Sequence, residues 1–176
     1  MNYLQQLTIN NFYHQQLVIL HIPLSDRAAL FARIFSLLKP GGKMWIEDYF
    51  WRGPSPFSAE ERRLLADNVF VPAGALPSRD EYEAALLGAG FVVAFNDVSD
   101  EWATFTAQRL QAFEASRERH VSTYNQATFD SLHLFYSSVS QCFAGGRLGG
   151  VKLLITKPIT SDDNVDNDDN DAAEEL

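Results

Sequence analysis

Four polar residues sit where the chain's apolar bursts end. His21 follows Leu17 to Leu20, Glu47 and Asp48 lie near the close of KMWIEDYF, and Asp97 lies just past Phe91 to Phe95. In folds where strands alternate with helices, ligands gather beyond the carboxyl ends of the strands, so these residues are expected to open onto one rim. Asp48 is followed by Tyr49 and Phe50. A carboxylate beside aromatic rings suits an ammonium ion, because the acid supplies charge and the rings a cation-π face. Ser78 and Arg79 open a later helix, from which they can reach a substrate phosphate. Plainer readings stand beside these. Asp48 can cap a turn or pair with an arginine such as Arg52, capping accounts for Ser78, and solvent accounts for Arg79. Glu47 reads as structural and His21 as a hydrogen-bonded rim residue. His14, His120 and His133 lack metal-ligand spacing, so no metal site is expected.

The elements that must position these residues follow from periodicity and punctuation. Leu17 to Leu20 reads as a buried strand. Ser25 can cap a helix whose apolar positions Leu30, Phe31, Ile34, Phe35, Leu37 and Leu38 repeat every 3.6 residues. Gly41 and Gly42 allow the turn into a strand over 43–50. Ser58 with Glu61 and Ser78 with Glu81 have capping-box spacing, predicting helices to about Asp67 and to Gly88. A strand over 91–95 follows. Ser99 is expected to cap a longer helix bearing Asp100 and Glu101 in its first turn. A stripe from Phe129 to Phe143 predicts a further helix, and Val151 to Thr156 a last strand. Trp102, Tyr82 and the aromatic stripe read as packing. The pattern implies an α/β fold with a mostly parallel sheet and helices on both faces.

Composition narrows the function classes. The formal net charge is −9, but residues 161–176 hold eight acids and no base, and removing them leaves −1. No basic stripe for a phosphate backbone remains, so nucleic acid is not an expected partner. The tail, read as residues 160–176, has too few apolar residues to fold and is expected to be disordered. The single cysteine, Cys142, falls in a helical apolar pattern and reads as a core thiol in a reducing compartment. No run of about 18 apolar residues exists, so no membrane span and a cytoplasmic location are expected.

The stretch LHIPLSDRAALFARIFSLLKPGGKMWIEDYF, residues 20–50, resembles the fourth-strand, helix and fifth-strand region of class I S-adenosylmethionine-dependent methyltransferases, with its Leu-Lys-Pro-Gly-Gly turn before a strand that ends in acid. LPSRDEYEAALLGAGFVVAFNDVSDEW, residues 76–102, continues the likeness, and DVSDEW resembles a stretch of phosphoethanolamine N-methyltransferases. The late helices and GGVKLLITKP resemble that subgroup and related small-amine methyltransferases. The resemblance covers roughly residues 17–158 and implies a partial Rossmann-like methyltransferase fold with S-adenosylmethionine as cofactor and a small amine or phospho-amine as substrate. It implies that Asp48 is the strand-end acid facing a cationic amine, with Tyr49 and Arg79 as further substrate contacts. His21 would act as a base or line the cofactor side.

The resemblance also carries departures. The family places its glycine-rich cofactor loop and ribose-binding acid on two strands that precede the matched region, and no such loop is present here. The pairs Gly41/Gly42, Gly145/Gly146 and Gly149/Gly150 do not follow a strand and open a helix as a nucleotide fingerprint must. Residues 1–16 do not match the family, leaving 17–159 as the methyltransferase-like domain. Two functions are therefore expected to compete: a truncated small-amine methyltransferase, and an inactive methyltransferase-like module that binds partners. In the family's sheet order the strand at 17–21 would be left as an apolar edge, implying self-association unless residues 1–16 cover it.

Overall fold

The computed structural model describes residues 14–18, 24–71 and 74–160. The elements run β1 (His14–Val18), α1 (Leu24–Leu37), β2 (Lys43–Trp51), α2 (Ala59–Asn68), α3 (Arg79–Gly88), β3 (Val92–Asp97), α4 (Ser99–Ala115), α5 (Arg117–Thr123), α6 (Gln126–Ala144) and β4 (Leu148–Thr156). Both capping boxes form. Ser58 and Ser78 accept from the backbone N–H of Glu61 and Glu81, and each glutamate reaches back to its cap. The expected cap of α4 does not form as read. Ser99 is already helical, and the Asp97 carboxylate accepts from both the N–H and the hydroxyl of Ser99. The signal therefore belonged to the aspartate two residues earlier. The first strand starts earlier than expected, at His14, so it straddles the boundary drawn at residue 16. The acidic tail lies outside the described residues.

The four strands form one sheet in the order β1-β2-β4-β3. Among the described strands only β1 and β2 are parallel. β4 runs antiparallel to both of its neighbours, which overturns the expectation of a mostly parallel sheet. The cause lies in the connection between β3 and β4. A single helical crossover would carry the chain back to the end where a parallel strand starts. Here α4 and α6 pack against each other and reverse the chain twice, delivering it to the end it left. Asp97 at the close of β3 accordingly pairs with Val151 near the start of β4.

Helices cover both faces. Met44, Ile46 and Phe50 of β2 join Val151, Leu153 and Ile155 of β4 beneath Leu30, Phe31 and Ile34 of α1 and Tyr82 and Leu86 of α3. On the other face, Leu64, Leu65, Val139, Cys142 and Phe143 pack with Leu148, and Tyr49 and Trp102 lean on them. Cys142 is a buried free thiol whose pKa burial raises to about 12. Within β4, Gly149 and Gly150 are the positions where the rings of Phe50 and Trp102, on opposite faces, meet bare backbone. A β-carbon at either would overlap a ring.

Gly150→Ala is expected to displace Trp102 and to destabilise the fold by about 2 kcal/mol, as overpacking does. Gly88→Ala, with open space at its β-carbon, is expected to be neutral or stabilising by up to about 1 kcal/mol. Denaturant midpoints of the two variants check both.

Candidate functional site

Strand β2 runs three residues beyond Asp48, so this aspartate is interior to the strand. Burial alternates along β2, sending Asp48 to the α1/α3 face together with Met44, Ile46 and Phe50. There it is 1% exposed. Its Oδ2 accepts from the Tyr82 hydroxyl at 3.0 Å and lies 3.5 Å from Arg27 Nη2, while Oδ1 accepts from the Tyr49 N–H at 2.7 Å. The Arg27 guanidinium sits 4.8 Å from the centroid of the Tyr82 ring. Arg27, Asp48 and Tyr82 thus tie α1, β2 and α3 together in the core. The expected partner Arg52 is elsewhere, held by Asp97 at 3.2 Å and Asp100 at 2.7 Å.

Burial pushes the Asp48 carboxyl up to about 6, against the opposing pull of Arg27 and of the hydrogen bonds from Tyr49 and Tyr82. Burial, with Asp48 beside it, likewise drives the Tyr82 phenol well above its ordinary range. The polar groups facing Asp48 across the packed helices are therefore one guanidinium and one neutral phenol.

The next residue faces the other way. Tyr49 projects towards α4 and α6, where its ring meets Trp102 edge-on at 5.9 Å and Phe143 at 5.8 Å. It lines a groove of about 680 Å³ with Glu47, Glu101, Trp102, Phe105 and Lys152. Glu47 and Lys152 are directly paired across β2 and β4, and Lys152 Nζ lies 3.6 Å from Glu101 Oε1. Glu47 Oε1 accepts from the Trp45 indole at 3.2 Å. Burial, then the neighbouring Asp48, raises the Tyr49 phenol to about 12, so it remains protonated. Trp102 and Phe105 reach the groove because they lie three residues apart on one face of α4.

The residues singled out by sequence therefore do not converge. Asp48 and Tyr49 point to opposite faces, Asp97 is occupied at the rim by Ser99 and Arg52, and His21 lies outside the described residues. Arg79 lies on the surface, its guanidinium 4.6 Å from the centroid of the Phe95 ring and 3.1 Å from Glu83. Glu47, read as structural, lines the groove. Arg27 and Lys152 carried no sequence signal beyond their charge.

Over 115 residues the chain is 32% identical to phosphoethanolamine N-methyltransferase 1 of Arabidopsis thaliana, and over 116 residues 32% identical to phosphoethanolamine N-methyltransferase of Triticum aestivum; each match covers 65% of this chain. The likeness is to the phosphoethanolamine N-methyltransferases. The chain spans 22% and 21% of the length of these relatives. A solved structure of Haemonchus contortus phosphoethanolamine N-methyltransferase 2, in complex with phosphomonomethylethanolamine and S-adenosylhomocysteine, superposes with a TM-score of 0.72 at 22% identity over 84% of this chain and 34% of its own. A cyclopropane synthase of Mycobacterium tuberculosis matches with a TM-score of 0.67 at 15% identity, over 83% of this chain and 57% of its own. No protein-family model matches. The chain therefore shares the fold of part of each of these two structures.

Asp48 gives the fold a pH signature. Its folded pKa of about 6 exceeds the ordinary value of 3.8, so between these values the folded state binds more protons and acidification stabilises it. The contribution is absent above about pH 7 and grows to about 3 kcal/mol towards pH 4. Glu61 and Glu81, whose pKa values are lowered, act in the opposite sense at lower pH. The expected observable is therefore a difference: relative to Asp48→Asn, the natural protein gains stability as pH falls from 7.5 to 4.5, read from denaturant midpoints at each pH.

Proposed function

We propose that this chain takes part in methyl transfer from S-adenosylmethionine to a small amine or phospho-amine. The observation that carries the reading is the 115-residue likeness to phosphoethanolamine N-methyltransferases. The methyltransferase fold supports it.

The described residues do not form a cradle for the cofactor. Such a cradle needs a glycine turn that leaves a strand and opens a helix. Gly41/Gly42 and Gly145/Gly146 instead lie between a helix and the strand after it, and Gly149/Gly150 lie inside β4 against Phe50 and Trp102. The chain's own contribution is on the acceptor side. The Tyr49 ring faces the groove, where an amine can rest against it with Glu47 and Glu101 supplying negative charge. Asp48 acts from the other face as a positioning residue, since its Oδ1 fixes the Tyr49 N–H. Arg79 is proposed as a peripheral contact for an anionic group, and His21 as a base or a cofactor-side residue. Positioning of a nucleophile for in-line displacement is the main demand that methyl transfer makes on a protein.

The sheet order leaves β1 at an edge among the described strands. Self-association through that edge is proposed as a second property.

Labelled methyl groups from S-adenosylmethionine, supplied with phosphoethanolamine and a panel of small amines, are expected to appear on the amine nitrogen. Tyr49→Ala is expected to raise KM for the amine about tenfold, the loss of one cation-π contact. Calorimetric binding of S-adenosylhomocysteine without transfer to any amine contradicts the acceptor class. Absence of both binding and transfer contradicts the methyltransferase reading itself. Sedimentation velocity is expected to show a concentration-dependent dimer, and a monomer at high concentration contradicts the edge pairing.

A further inference from the structure

A second pocket, of about 270 Å³, lies between the end of β2, the segment that follows it and α2, and it shares no lining residue with the groove. Trp51, Phe57, Leu65, Val71 and Leu76 form its walls, and Pro56 and Gly74 add no polar side chain. The one charged residue among the described lining is Arg62. The walls are pinned. The Trp51 backbone N–H donates to Pro77 O at 2.8 Å and its indole N–H to Ser55 O at 3.1 Å. The Val71 N–H donates to Leu65 O at 2.9 Å, just past Phe70, which stands at φ 61° between the buried Val69 and Val71. A phenylalanine holds that left-handed conformation only where its surroundings over-determine it, so this wall is fixed rather than free to collapse. The space would take about nine waters at ~30 Å³ each, yet apolar walls offer them few partners.

The charge at this pocket selects a ligand class. Arg62 Nη1 donates to Phe57 O at 2.6 Å, which anchors the exposed guanidinium beside the apolar walls. Among the described residues no carboxylate pairs with it, and the adjacent Glu61 is held by Arg147 at 3.0 Å. A guanidinium presents five N–H donors in a planar fork, and those left over match a carboxylate side-on. An ammonium would meet like charge here with no acid to offset it. A neutral apolar molecule would fill the walls and leave the guanidinium to water. An apolar body that ends in an anion satisfies both.

We infer that the pocket walled by Trp51, Phe57, Leu65, Val71 and Leu76 is a binding site for a small carboxylic acid with an apolar body. The chain or ring of the ligand lies against Trp51, Phe57 and Leu76, and its carboxylate takes the free side of the Arg62 fork. A body of six to eight carbons suits the volume, at roughly 30 Å³ for each group. The site is separate from the amine-facing groove and does not depend on the methyl-transfer reading.

The test is a set of titrations of the whole chain with hexanoate, hexan-1-ol, hexylammonium and acetate, read by calorimetry and by the three tryptophan indole N–H signals in NMR. Hexanoate is expected to bind saturably and at least about tenfold more tightly than hexylammonium, which brings like charge to Arg62, and than acetate, which lacks the apolar body. Hexan-1-ol is expected to fall between. The Trp51 indole signal is expected to shift on hexanoate binding while that of Trp102 stays in place. Arg62→Gln, at an exposed helical position that glutamine tolerates, is expected to bring hexanoate down to the level of hexan-1-ol and to leave hexan-1-ol unchanged, which also shows that the pocket is still folded. Arg62→Lys is expected to keep part of the preference, because it retains the charge without the fork. No saturable binding of hexanoate, hexylammonium or acetate equal to hexanoate, an unaltered hexanoate affinity in Arg62→Gln, or shifts at Trp102 with Trp51 unmoved overturns the inference.

Discussion

The pleat of one strand governs the chemistry of this molecule. Successive residues of β2 point to opposite faces, so an adjacent aspartate and tyrosine cannot serve one ligand from one side. Asp48 goes inward under α1 and α3, where Arg27 and Tyr82 receive it, and Tyr49 goes to the groove beneath α4. Buried ion pairs of this kind are costly to desolvate and more costly to break, and the raised pKa of Asp48 is that desolvation cost expressed as proton affinity. What the cluster secures is position. It fixes two helices against the central strand, and through the Tyr49 N–H it holds the backbone of the residue that faces the groove.

The antiparallel strand β4 is the second determinant. By returning between β2 and β3 it places Lys152 opposite Glu47 and sets two glycines under aromatic rings. Gly150 lets Trp102 lie against the sheet, and that approach brings α4 close enough for Trp102 and Phe105 to wall the groove. The glycine pair that a motif search would examine as a phosphate loop is thus a packing device.

Much of the fold was legible in the sequence because its signals are local. The two Ser-x-x-Glu boxes, the 3.6-residue stripes of α1 and α6 and the glycine turns each act within a few residues, and each element formed. Strand direction was misread because the alternation of single helices and strands earlier in the chain was extended to β4, although two legible helices, α4 and α6, separate β3 from β4 and return the chain to the end it left. The candidate site was half legible. Asp48 and Tyr49 were found from their types, but Asp48, near the close of a strand read over 43–50, was expected on the rim, whereas the strand runs on to Trp51 and its alternation turns Asp48 into the core. Arg27 was invisible as its partner because the pairing spans two elements, and Arg52, nearer in sequence, was the more obvious choice. Glu47 was set aside although period-2 alternation alone puts it on the same face as Tyr49.

Side-chain NMR of the protein titrated with phosphoethanolamine tests most directly whether Tyr49's face, and not Asp48's, meets the ligand. The Trp102 indole N–H and the ring signals of Tyr49 and Phe105 are expected to shift with a common saturation curve, while the Tyr82 ring stays in place. Shifts centred on Tyr82 and the Arg27 guanidinium, with Trp102 unmoved, would contradict it.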